Sequence, residues 1–294
     1  MRSTGFFMGE MVRIDACRFA MGSDDADARV DDGEGPVREV VLDAYCISTT
    51  AVSNAEFAAF VDATGYVTEA ERFGWSYVFK GLLAKTKQKK LARTSKLEHV
   101  PWWYGVKGAY WKKPEGRGSS VSKRLNHPVV HVSWNDATEY CGWAEMRLPT
   151  EAEWECAARG GLVGKRLPWG DELNPGGVYV CNVWQGKFPD RNTLADGYMG
   201  TAPVDAYAPN GFGLHNMTGN VWEWCSDWYS QTWRQTEDSY DNPQGPLHGE
   251  SKILKGGSYL CHDSYCNRYR LAARYANTTD STSGHAGFRC VKSV

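Results

Sequence analysis

The chain has 294 residues, 33 basic and 35 acidic side chains and a formal net charge of -2, so no bulk electrostatic attraction marks it for nucleic acid or a membrane surface. Aromatic residues make up 13%, with 13 Trp, alongside 31 Gly and 12 Pro; the mixture suits large side chains packed between tightly turning segments and disfavours long helices and large regular sheets. No run of 18 apolar residues exists, and the first fifteen residues lack a leader's charged-then-apolar pattern. The expectation is a cytoplasmic protein with no membrane contact, although a mature secreted or lumenal chain would read alike.

Residues 37–47, VREVVLDAYCI, are branched and aromatic and read as a strand entering the core. A helix follows, because Ser53 and Glu56 form a capping-box pattern ahead of Phe57, Phe60 and Val61, with Gly65 as its stop. Residues 85–96, KTKQKKLARTSK, hold six basic and no acidic side chains and no interleaved aromatics; they read as a solvated surface loop. His127 and His131 lie four apart, but Pro128 and the valines make that segment extended, so the helical zinc-pair geometry does not apply. Ser133 with Asp136, and Thr150 with Glu153, start short helices around 134–144 and 151–159, the second closed by Gly160 and Gly161.

Beyond Gly161 turn formers multiply and periodicity fades. Asn182, Asp196, Asn216 and Glu223 lie in that region and could offer hard oxygen ligands from loops, though none fits the EF-hand spacing. No linker composition, internal repeat or low-complexity tract divides the chain, so residues 1–294 read as a single domain.

Nine cysteines form an odd set, and a free cysteine is ordinarily a small buried hydrophobe. Spacing lifts two above that reading. Cys261 and Cys266, in GGSYLCHDSYCNRYR, lie five apart, so a bend can bring both sulfurs onto one soft metal ion or within disulfide distance. His262 could add an imidazole for zinc, and Arg268 and Arg270 would favour thiolates. From the residues alone, a structural disulfide, a metal site and a pair of free thiols all remain open.

These residues, together with ATGYVTEAERFG, PWWYGVKGAYWKKPEG, NHPVVHVSWNDA, RLPTEAEWE, NVWQGKFP, GTAPVDAYAPNGFGL, GNVWEW and the terminal GFRC, resemble the formylglycine-generating enzyme (sulfatase-modifying factor) family over almost the whole chain. The resemblance implies an irregular α+β fold, a C-type-lectin-like variant low in regular secondary structure. It implies a copper-dependent oxidase that converts the cysteine of a Cys-x-Pro-x-Arg segment in an unfolded sulfatase to formylglycine, using O2 and a thiol reductant. Within it, Cys261 and Cys266 would bind Cu(I), Ser258 would hydrogen-bond beside the copper, and Trp222 would lie near the O2 pocket. Trp102 would line the peptide groove, with Arg268 as a further substrate contact.

The resemblance also implies two structural calcium ions. One would be held by Asn182 and Asp196 with the carbonyls of Val183 and Tyr198, the other by Asn216 and Glu223 with the carbonyls of Gly219 and Val221. Cys141 and Cys290 match a family disulfide. A second disulfide of animal members falls here on Ala158 and Leu271, and Cys156 has no family partner. Two other classes compete: a non-catalytic peptide-binding module of the same fold, in which Cys261 and Cys266 form a structural disulfide, and a non-haem iron enzyme, which would need histidines on an added helical bundle that this chain lacks.

Overall fold

The computed structural model describes residues 9–92, 97–236 and 240–294. Its elements are short: the longest helix spans eleven residues and the longest strand seven. β1 (Met11–Ile14) pairs with β4 (Tyr45–Ser48), which pairs in turn with β13 (Val291–Ser293), so the two ends of the chain meet in one antiparallel sheet. β2 (Cys17–Met21) and β3 (Arg38–Leu42) form a hairpin, as do β5 (Trp75–Phe79) and β6 (Trp103–Lys107). The short β7 (Gly186–Lys187) and β8 (Arg191–Asn192) also pair. β9 (Trp222–Trp228) lies inside the order β11–β10–β9–β12, completed by β10 (Lys252–Lys255), β11 (Tyr275–Asn277) and β12 (Ala286–Gly287), the last running parallel to it.

The strand expected over 37–47 is two strands in different sheets. The break falls at Asp43, whose N–H donates to Asn242 Oδ1 at 2.8 Å, so the chain leaves the β2 hairpin there and re-pairs with β1. The surface loop expected over 85–96 is also corrected: α3 (Lys85–Leu91) is a helix, and residues 93–96 lie outside the described residues. Lys, Gln and Leu are strong helix formers. Tertiary contacts secure them, with Lys87 Nζ donating to the Glu115 carbonyl at 2.5 Å and Leu91 packed on a small cluster under β6.

The other helices follow their caps. α1 (Asn54–Thr64), α4 (Trp134–Trp143) and α5 (Glu151–Arg159) each begin with a reciprocal capping box at Ser53–Glu56, Ser133–Asp136 and Thr150–Glu153. α2 (Glu69–Phe73) is capped alike by Thr68 and Glu71.

Two cores lie on opposite faces of the β9–β10 pair, as the two-residue period of a strand dictates. Trp224 and Leu254 enter one core with Phe57, Trp111 and Tyr140; Cys225 and Ile253 enter the other with Tyr45 and Trp154. Ala158 and Leu271 are both fully buried in the second core. A buried ion network crosses the same region. Glu151 on α5 accepts from Arg234 and Arg274 at 2.7 Å, and Glu155 accepts from Arg159 at 2.7 Å and Lys255 at 3.0 Å. Among the described residues no helix is long and apolar enough to cross a membrane.

A buried thiol pair in an aromatic cavity

Residues 256–270 leave β10 and fold back on themselves. Gly257 has φ +73, and a Cβ there would stand 2.9 Å from the Tyr269 Cα, so only glycine lets the outgoing and returning strands of the loop approach. Cys261 N donates to the Ser258 carbonyl at 2.9 Å, and Cys266 N to the His262 carbonyl at 3.0 Å. Two tight turns thus bring both cysteines to the wall of one cavity of about 300 Å³.

Both sulfurs are buried and act on each other. The Cys266 thiol is lowered to about 7, first by its hydrogen bond with Cys261, then by backbone donors and the Arg268 charge against the opposing effect of burial. Cys261 is pushed up by burial, with the Ser258 hydroxyl drawing it partly back. Cys266 is therefore the more readily ionised of the two, and the thiolate is the form in which sulfur binds a soft metal.

Six of the residues named for this site from the sequence reach the cavity: Ser258, Cys261, Cys266, Trp222, Trp102 and Arg268 all line it. Trp102 stands edge-on to Tyr265, with centroids 4.9 Å apart, and Tyr265 stacks on Phe188 at 4.3 Å. Arg268 is clamped by Asp32, with Nε and Nη2 donating at 2.6 and 3.0 Å. Two expectations change. His262 does not line the cavity, and its Nδ1 lies 2.8 Å from Ser264 Oγ, because the turn that returns Cys266 aims the imidazole outward. Arg270 does not support the thiolates; it is bound to Glu34 by contacts of 2.5 and 2.8 Å.

The structure adds residues that the sequence reading passed over. Tyr265, Tyr275, Trp103 and His285 also line the cavity. His285 is half-buried, its ring centroid 4.6 Å from that of Trp103, and desolvation followed by the nearby His131 lowers it to about 3, so it is neutral at physiological pH. Tyr265 had a signal in its place between the cysteines. His285 had none, since only the pairing of β12 with β9 carries it to Trp222.

Two thiols are the whole soft donor set, and among the described residues no three His, Cys, Asp or Glu side chains gather to hold a metal. That donor set fits a two-coordinate soft ion with room for an incoming sulfur. Among the calcium ligands expected, Asn182 Oδ1 and Asp196 Oδ2 are buried without a hydrogen-bond partner, as ligands of a hard cation would be. Asn216 Oδ1 is orphaned in the same way. Glu223 accepts from Arg289 at 2.6 and 2.8 Å and from Trp154 Nε1 at 2.7 Å, which gives its Oε1 a single donor. Cys141 and Cys290 lie with sulfurs 3.5 Å apart as free thiols.

The fold and site together define an irregular α+β domain that exposes a buried dithiol to an aromatic cavity. The sulfatase-modifying factor enzyme 1-like domain model matches residues 3–294, and the chain belongs to that family. It is 58% identical to a formylglycine-generating enzyme of Thermomonospora curvata over 95% of this chain and 92% of that protein. It is also 43% identical, over 95% of its length and 87% of the relative's, to an inactive C-alpha-formylglycine-generating enzyme 2 of Bos taurus. The structure of PvdO from Pseudomonas aeruginosa shares the fold, with a TM-score of 0.71 at 23% identity over 97% of this chain and 95% of that one.

Proposed function

We propose that the chain is an oxidase that converts a cysteine in a Cys-x-Pro-x-Arg segment of an unfolded sulfatase to formylglycine, using Cu(I), O2 and a thiol reductant. The observation that carries the reading is the buried Cys261–Cys266 pair facing a cavity large enough for a peptide side chain. The name of the Thermomonospora curvata relative supports the reaction, and the inactive relative makes the cavity chemistry, and not the family, the deciding point.

Cu(I) bound by Cys261 and Cys266 would supply O2 activation next to a substrate cysteine taken up as a third sulfur ligand. The chain's own residues prepare the place. Ser258 hydrogen-bonds to Cys261 and Arg268 favours the Cys266 thiolate, so the pair presents charge to the metal and not to solvent. Trp222, Tyr275, neutral His285, Trp102 and Tyr265 supply the aromatic wall of the cavity, which limits the water that reaches the reacting sulfur. Calcium at Asn182 and Asp196, with the carbonyls of Val183 and Tyr198, would tie the irregular 181–200 segment that donates Trp184 N to the Cys261 carbonyl at 3.0 Å. A second ion would be held by Asn216 and Glu223 with the carbonyls of Gly219 and Val221. Where the compartment oxidises thiols, Cys141 and Cys290 form the structural disulfide.

The test is reconstitution with Cu(I) under reductant and mass spectrometry of a Cys-x-Pro-x-Arg peptide. Wild type binds one Cu(I) and leaves an aldehyde; Cys261→Ser and Cys266→Ser lose both. Peptide binding without O2 consumption in copper-loaded wild type would instead assign a non-catalytic binding module.

A further inference from the structure

Cys17 and Cys156 are 139 residues apart in sequence, yet their sulfurs lie 3.3 Å apart. Cys17 opens β2 and is half-buried; Cys156 sits in the middle of α5 and is buried. The contact belongs to a fixed junction. At the far end of β2, Gly22 N donates to Glu155 Oε1 at 2.8 Å, and Arg159 Nη2 donates to the Gly22 carbonyl at 2.9 Å. Tyr45 closes the top, its hydroxyl donating to the Glu153 carbonyl at 2.7 Å. The helix α5 is thus tied to the end of β2 at Gly22 and to β4 at Tyr45, and neither cysteine lines the cavity of Cys261 and Cys266.

We propose that Cys17 and Cys156 are a second dithiol site, which closes to a disulfide by exchange with a low-molecular-weight disulfide and reopens with a thiol. The Cys17 sulfur is the one an oxidant reaches, since Cys156 is covered. Cys17, as thiolate, attacks one sulfur of R–S–S–R and forms a mixed disulfide, releasing RS⁻, which takes up the Cys17 proton. Cys156 then displaces the second R–S group, which leaves as RSH with the Cys156 proton. The two cysteines are oxidised by two electrons, and one R–S–S–R becomes two RSH. A bonded sulfur pair stands about 2 Å apart, so closure asks for a shift of little more than about 1 Å between elements already packed together. The bond would fasten to α5 the strand that leads into the 22–36 segment, which carries Asp32 and Glu34 to Arg268 and Arg270.

The experiment treats the full chain with glutathione disulfide, blocks remaining thiols with iodoacetamide, and maps peptides by mass spectrometry without reduction. The expected result is a Cys17–Cys156 linked peptide that dithiothreitol removes. Oxidised wild type should also melt several degrees higher than its reduced form, and Cys17→Ser, altered at the half-buried position, should fold and show no such rise. Recovery of Cys156 as the alkylated thiol after Cys261–Cys266 or Cys141–Cys290 has oxidised would overturn the proposal. So would a Cys17–glutathione adduct that never resolves.

Discussion

Asp196 holds one carboxylate oxygen to the Tyr198 N–H at 3.2 Å and leaves the other buried with no donor. Its charge is felt nearby: Cys181 is pushed up by burial first and by Asp196 second. An uncompensated carboxylate in such a place weakens the fold unless a cation binds it. The sign of a substitution therefore depends on calcium. Asp196→Asn keeps the shape and removes the charge, so in chelator it should melt at or above wild type. With millimolar calcium the order should reverse, because only wild type gains binding energy from the ion. Scanning calorimetry with and without EGTA checks this; a wild type that ignores both would remove Asn182 and Asp196 as a calcium site. Glu223 has buried partners that its residue type did not announce. Only the structure reveals Arg289 across from it, 66 residues further on.

At the scale of elements, the legible parts were those whose cause is local. The boxes at Ser53, Ser133 and Thr150 lie within four residues and gave helix starts directly. Thr150 is the sharpest case, because its Oγ1 accepts from Glu153 N at 3.1 Å while Glu153 returns to Thr150 N at 2.8 Å and also grips Arg147. Thr150→Ala should cost about 1 kcal/mol in urea unfolding, and Thr150→Ser close to nothing; equal losses would mean that the hydroxyl does not cap. What failed was set by distant partners. The 37–47 strand splits because of Asn242, and the lysine-rich α3 is held by Glu115 and the cluster under β6. The site divides in the same way. Cys261, Cys266 and Ser258 share one loop and were legible, whereas Tyr275, Trp103 and His285 reach the cavity only through sheet pairing and were not.

The whole molecule carries opposing buried titrations whose balance sets its response to acid. His131 and His285 are both lowered to about 3, chiefly by burial, so the fold favours their neutral forms. That contribution is complete above the ordinary histidine value near 6.5 and is lost as pH falls below it. Glu151 acts in the same direction at lower pH. Burial raises it, but Arg234, Arg274 and Lys255 outweigh burial and bring it to about 2, so its contribution is present above the ordinary 4.5 and lost as pH falls toward 2. Asp227 runs the other way, raised to about 7 by burial and then by the charge of Glu151. Folding favours its protonated form, so its contribution is full below the ordinary 3.8 and disappears as pH rises to 7. Acidification from pH 7 to 5 therefore sets the two histidines, which lose stability, against Asp227, which gains it. The slope reaches about 1.4 kcal/mol per pH unit only below pH 7, where Asp227 is still half ionised, so its gain over that interval is about 2 kcal/mol. Asp227→Asn keeps an oxygen for the Glu151 N–H, now at 2.8 Å, and removes the titration. Its unfolding free energy should fall between pH 7 and 5 by about 2 kcal/mol more than that of wild type, measured by urea titration at each pH. Parallel pH profiles for the two proteins would show that Asp227 stays ionised in the fold and that the histidines act without this counterweight.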